Sequence, residues 1–121
     1  MPDLSLAARE RARRTILVAG VFGAHAEEIA AAVLDVPEGH VLVAVVDAEH
    51  IFTGTHQVST AELVETVPAV EGPGGWAMVF SPGADAAHVR RRTADMADIA
   101  AQRLAAIDRI RARRNVDEST D

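Results

Sequence analysis

Residues 84–114 contain neither glycine nor proline, and no other stretch of the chain limits the possible folds so strongly. A run rich in Ala and Arg with no breaker predicts one helix of about 30 residues, roughly 45 Å long at 1.5 Å per residue. A 121-residue chain makes a body only about 25–30 Å across. The helix therefore outruns the body, and its excess length is expected to bury against a second chain. At 100° per residue, Val89, Met96, Ala100, Ile107 and Ile110 fall on one stripe, widened by Ile99 and Leu104. Arg103 projects into that stripe. Its guanidinium must either run its stem along the apolar surface to water or meet a carboxylate of the acidic body or of a partner chain. The candidate interface is thus Val89, Met96, Ile99, Arg103, Leu104, Ile107 and Ile110.

Charge is divided along the chain. All twelve basic residues are arginines, and residues 15–89 hold ten carboxylates with no Arg or Lys. By segment the net charge is +2 for 1–14, −10 for 15–89, +5 for 90–114 and −3 for 115–121. Abundant Ala and Arg without Lys or Tyr match the codon bias of a GC-rich bacterial genome. The partition still predicts attraction between an acidic body and basic helical arms, within one molecule or between two. It argues against nucleic acid, because a body of −10 repels phosphates. There are few aromatics to stack on bases and no helix-turn-helix or RNA-binding signature. Arg90, Arg91 and Arg92 sit in the first turns of the long helix, where the dipole disfavours cations. Contact with carboxylates, or with an anionic ligand, would account for them.

With no cysteine, disulfides, thiolate chemistry and cysteine-based zinc sites are excluded. No apolar run approaches the ~20 residues of a bilayer span. Thr15 to Val21 is shorter than most secretory cores, so a cytoplasmic protein with no membrane association is expected.

The chain divides into a basic helical arm (1–14), an acidic α/β core (15–83), the long helix (84–114) and an acidic, disordered tail (115–121). Thr15–Val21 is β-branched and apolar and reads as a strand buried on both faces. Ala24–Val36 reads as a helix stopped by Pro37-Glu38-Gly39. His40–Val46 is a second buried strand, Asp47–His50 a turn and Ile51–Val58 a third strand. Ser59-Thr60-Ala61-Glu62 matches a capping box before a helix through Val67. Pro68–Gly75 reads as a loop and Trp76–Ser81 as a fourth strand. The order predicts an α/β (or α+β) fold: a small mixed sheet of about four strands, the first two parallel across a helix, with helices packed on it and a long C-terminal helix.

Ligands in open α/β sheets lie beyond the carboxyl ends of parallel strands. Those ends would be Gly20 and Gly23 with His25, then Asp47 with His50. Gly20 and Gly23 could turn the backbone around a phosphate, although Glu27 and Glu28 compete with any anion there. Asp47 could orient His50, with His25 as a third group, for general acid–base work. The bland alternative is an aspartate that only closes its own turn. His50 and His56 share strand parity, but six extended residues separate them by roughly 20 Å, so they hold no common metal. His56 is expected on the same face as Phe52 and Val58, packed rather than ligating. No metal or cofactor is predicted. The reading that results is a small non-enzymatic association module, a homodimer or accessory subunit of a protein partner. A small-ligand protein or enzyme with a site at Gly20, Gly23, His25, Asp47 and His50 is the alternative. A nucleic-acid accessory factor using the arginine arms is the third.

Overall fold

The computed structural model describes residues 4–119, and side chains for 5–114. The chain is a mixture of helix and strand: α1 (Leu4–Ala24), α2 (Ala26–Val33), β1 (His40–Val46), β2 (Phe52–Ser59), α3 (Leu63–Glu71), β3 (Trp76–Phe80) and α4 (Ala86–Ser119). The sheet has three strands, not four, in the order β2-β1-β3, and both pairings are antiparallel.

The missing strand is Thr15–Val21, which forms the second half of α1. Its apolar run is ambiguous, because a short buried strand and a buried helical segment look alike when no polar residue marks the period. The wider spacing decides. Ala12, Val18, Ala19, Phe22, Ala26 and Ile29 are all buried and recur at helical intervals, continuing the helix that begins in the arginine-rich segment. The basic arm and the supposed strand are one element, and no parallel crossover exists. At His25 the chain bends by 62° into α2. Among the described residues, no single helix is long and apolar enough to cross a membrane.

β1 is the central strand, buried at every position from Val41 to Val46, as its unbroken apolar sequence requires. Its even residues Leu42, Ala44 and Val46 join Met78 and Phe80 of β3 against Val18, Phe22, Ala26, Ile29, Val33 and Val89 from three helices. Its odd residues Val43 and Val45 join Val58 beneath the partly buried Leu63, Val67 and Val70 of α3. The sheet is therefore covered on both faces, thickly by α1, α2 and α4 and thinly by α3.

The Asp47–His50 turn and β2 follow expectation, with one irregularity. Val45 faces Gly54 whereas Val46 faces Phe52, so Thr53 is an extra residue in β2, a β-bulge. The bulge switches parity: Phe52 packs in the helix-side core, while His56 lies opposite Val43 on the α3 side, exposed. His56 thus does not share a face with Phe52. Ser59 begins the next turn without a side-chain cap; the bond is made instead by the Thr60 hydroxyl to the Gly39 carbonyl at 3.0 Å. α3 runs on through Pro68 to Glu71, shortening the expected loop, and Gly72 (φ +70°) ends it.

α4 has 34 residues, about 51 Å at 1.5 Å per residue. It continues past Arg114 to Ser119, so the backbone of most of the segment read as a disordered tail is helical; residues 120–121 and the side chains from 115 onward lie outside the described set. α1 packs antiparallel along α4. Gly23 lies against the Thr93 side chain at one end, and Arg9 Nε donates to Asp108 Oδ1 at 2.7 Å at the other. Much of the long helix is thus covered by the chain's own first helix, which the sequence reading had assigned partly to the sheet. Arg90 pairs with Glu27 across α4 and α2, a contact between arginine helix and acidic segment. Asp108 takes Arg9 rather than its helical neighbour Arg111.

Candidate association groove at the third strand

Backbone direction along the sheet shows which groups are spent. The Asp47 N–H donates to Ile51 and the Thr60 N–H to Gly39, so odd-numbered residues of the β1 segment turn their peptide groups toward β2. Even-numbered residues then face β3, and Leu42, Ala44 and Val46 pair with Phe80, Met78 and Trp76. Ala77 and Val79 are left with N–H and C=O directed away from the sheet. The Val79 carbonyl does accept a hydrogen bond from outside the sheet, from Arg92 Nη1. The Arg92 guanidinium also lies 4.7 Å from the centroid of the Phe80 ring, within cation–π range.

Beside this free edge runs an open groove of about 600 Å³, walled by Ala77, Met78 and Val79 on the strand side, by Arg92, Asp95, Met96, Ile99, Ala100 and Arg103 on α4, and by Thr15 of α1. A second hollow of about 500 Å³ continues it past Trp76, Arg11 and Ile107, sharing Thr15, Ala100 and Arg103. Arg92, Ile99 and Arg103 project along one side of α4, since seven and eleven residues are close to whole turns. Ile99 is 52% exposed, a large apolar side chain left in solvent. Asp95 and Arg103 make no ion pair with any described residue. Arg103 is exposed, as a snorkelling arginine would be.

The expected interface residues therefore separate. Val89 is 0% exposed and belongs to the chain's own core, because α4 enters the fold through its first turns. Met96 packs half-buried on that core, and Leu104 and Ile107 are half-buried. Ile99, Arg103 and Ile110 remain exposed. Sequence reasoning missed Ala77, Val79, Asp95 and the groove role of Arg92. The helical spacing of Arg92, Ile99 and Arg103 was available as a signal; the open strand edge was not, because it depends on sheet order.

The other expected site does not assemble as proposed. Gly20 is exposed within α1 with no atom near it, and Gly23 serves close approach of α1 to Thr93. Neither ends a strand. His25, at the bend, stacks on Phe52 with centroids 4.2 Å apart and bonds Glu28 at 3.0 Å. Asp47 Oδ1 accepts from the Glu49 and Ile51 amides at 2.9 and 3.0 Å, so this carboxylate closes its own turn. His50 sits in the same turn with φ +65°, a conformation that favours glycine. It borders a crevice of about 570 Å³ with Arg11, Arg14, Glu71 and Trp76. Among the described residues, no three His, Asp or Glu side chains come together to hold a metal ion.

The chain matches no protein-family model, no curated protein and no solved structure at a significant level.

Proposed function

We propose that this chain is an association module, a homodimer or accessory subunit, that acts by docking rather than by chemistry. The docking site is the groove between the β3 edge and α4, and one observation carries the reading. The outward backbone groups of Ala77 and Val79, with Arg92 on the Val79 carbonyl, line the same opening as the exposed Ile99 and as Asp95 and Arg103, which make no ion pair with a described residue. Strand edges with free peptide groups add strands readily, and folded proteins commonly blunt those they do not use. An apolar side chain flanked by both charge signs gives such an edge specificity as well as adhesion.

The test is retention of partners by tagged protein in its own cells, compared with Ile99→Glu. A bound chain, whether a second copy or another protein, is expected with the wild type and lost with the variant, whose thermal melt should be unchanged. Identical retention by both proteins, or no bound chain at all, would overturn the reading.

A second reading rests on His50. A histidine in a backbone conformation that favours glycine borders a crevice with Arg11, Arg14 and Trp76. Glu10, which pairs with Arg14, and Glu71 also line it, and Arg11, with no ion pair to a described residue, is the cation left for a small anion. Inorganic phosphate should then raise the melting temperature of the wild type and leave Arg11→Ala unaffected. Equal melting curves with and without phosphate would dismiss it.

A further inference from the structure

Resting on the association reading, we infer that the occupant of the groove is a second copy of this chain. The two β3 strands pair antiparallel across a twofold axis at Met78, giving one continuous six-stranded sheet. Three features of the edge select this arrangement.

The first is register. Only Ala77 and Val79 turn peptide groups outward from β3 (Trp76–Phe80). In a twofold pair, Ala77 opposite Ala77 would set Val79 against Gly75. Val79 opposite Val79 would set Ala77 against Ser81, next to Pro82. Ala77 opposite Val79 uses all the outward groups of both strands, and it alone centres the axis on Met78. Arg92 must release the Val79 carbonyl for this pairing to close.

The second is charge. A twofold interface places one patch against itself, so a self-complementary patch must hold both signs. The groove does: Asp95 stands between Arg92 and Arg103 on α4 and has no ionic partner among the described residues.

The third is alignment. α4 begins alongside the Phe80 end of β3, where Arg92 meets Val79, and reaches Trp76 near Ala100 and Arg103. It therefore runs antiparallel to β3, with Asp95 and Met96 abreast of Met78. The axis that pairs the strands also brings the two α4 helices together at those residues. Asp95 of each copy then lies nearest Asp95 and Met96 of the other, with the other copy's Arg92 about one helical turn away. The released guanidinium reaches along that turn to the facing carboxylates. Ile99 comes to lie under the paired strands.

The chain has no cysteine, so introduced thiols report contacts cleanly. Paired residues of an antiparallel ladder have Cα atoms about 5.5 Å apart, within the ~4.4–6.8 Å that a disulfide spans. Residues displaced by two positions are about 8 Å apart and outside it. Purified wild type is expected at twice the chain mass at high micromolar concentration. Under oxidation, an equimolar mixture of Ala77→Cys and Val79→Cys should cross-link, whereas either variant alone should not. Asp95 is exposed and makes no ion pair with a described residue, and Asp95→Arg should weaken the dimer about tenfold or more. A purified chain of single mass sinks the second-copy inference. So does a dimer that fails to cross-link in the mixture, or one indifferent to Asp95→Arg. The retention test with Ile99→Glu would still decide the association reading by itself.

Discussion

The two faces of the sheet are covered to very different depths. On one face, α1, α2 and α4 meet β1 and β3 in a cluster that includes Phe22, Phe80, Ile29 and Leu42, each essentially excluded from solvent. On the other, the buried residues among those described are Val41, Val43, Val45 and Val58, all from β1 and β2; α3 contributes none, and its Val64 is 87% exposed. Since apolar burial supplies most of the drive to fold, stability should be concentrated in the helical layer. α3 should behave as a cover held by few contacts, the kind of element that opens locally before the rest. The proposed groove is built from β3 and α4, with Thr15 of α1, and so stands on the deep side.

Truncation of Phe22 puts the greatest strain on this comparison. Phe22→Ala empties the centre of the helical core and should destabilise by about 3–5 kcal/mol in urea unfolding. Val43→Ala, under α3, removes two methyl groups at about 0.8 kcal/mol each plus a small cavity term, about 2 kcal/mol in all. Were the two losses equal, the faces would be energetically alike and the contrast would fail. Hydrogen exchange on the same samples should show α3 amides opening at lower free energy than those of β1.

His50 lies in a turn outside both clusters and serves as a control. Removing the Cβ from this left-handed conformation relieves about 1–2 kcal/mol, while glycine costs about 0.5–1 in chain entropy, so His50→Gly should gain about 0.5–1 kcal/mol. A loss measured by the same urea titration would mean that the imidazole makes a stabilising contact. The smallest effect is expected on α3's outer surface, where Val64→Gln should stay within about 0.5 kcal/mol. A larger loss would indicate that something covers that surface in solution.

The comparison also explains what could be read from the residues alone. β1 was legible because a strand covered on both faces must be apolar throughout, and His40–Val46 is nearly so. The hairpin was legible from Asp47 and the polarity around it, and the body of α4 from its lack of breakers. Thr15–Val21 was not. Its β-branched residues argue locally for a strand, and the helix wins through contacts with α4 some 70 or more residues away in sequence, such as Gly23 against Thr93. With that strand went the parallel sheet and the site at Gly20 and Gly23. The stripe on α4 divides for the same reason, Val89 being buried in the chain's own core while Ile99 and Ile110 stay exposed. Periodicity identifies which residues of α4 are apolar, but α1 and the sheet decide which stay uncovered. His56 was misplaced by a single inserted residue, Thr53, whose bulge no composition rule announces.

That bulge also bears on stoichiometry. The β2 edge carries Thr53, Thr55 and Gln57, and Gly54 at φ +123°, so it is polar and locally kinked. A sheet with two straight apolar edges can add neighbours at both and grow into a fibre. With one edge spoiled, the strand pairing proposed at β3 would end after a single addition, giving a closed pair rather than a polymer.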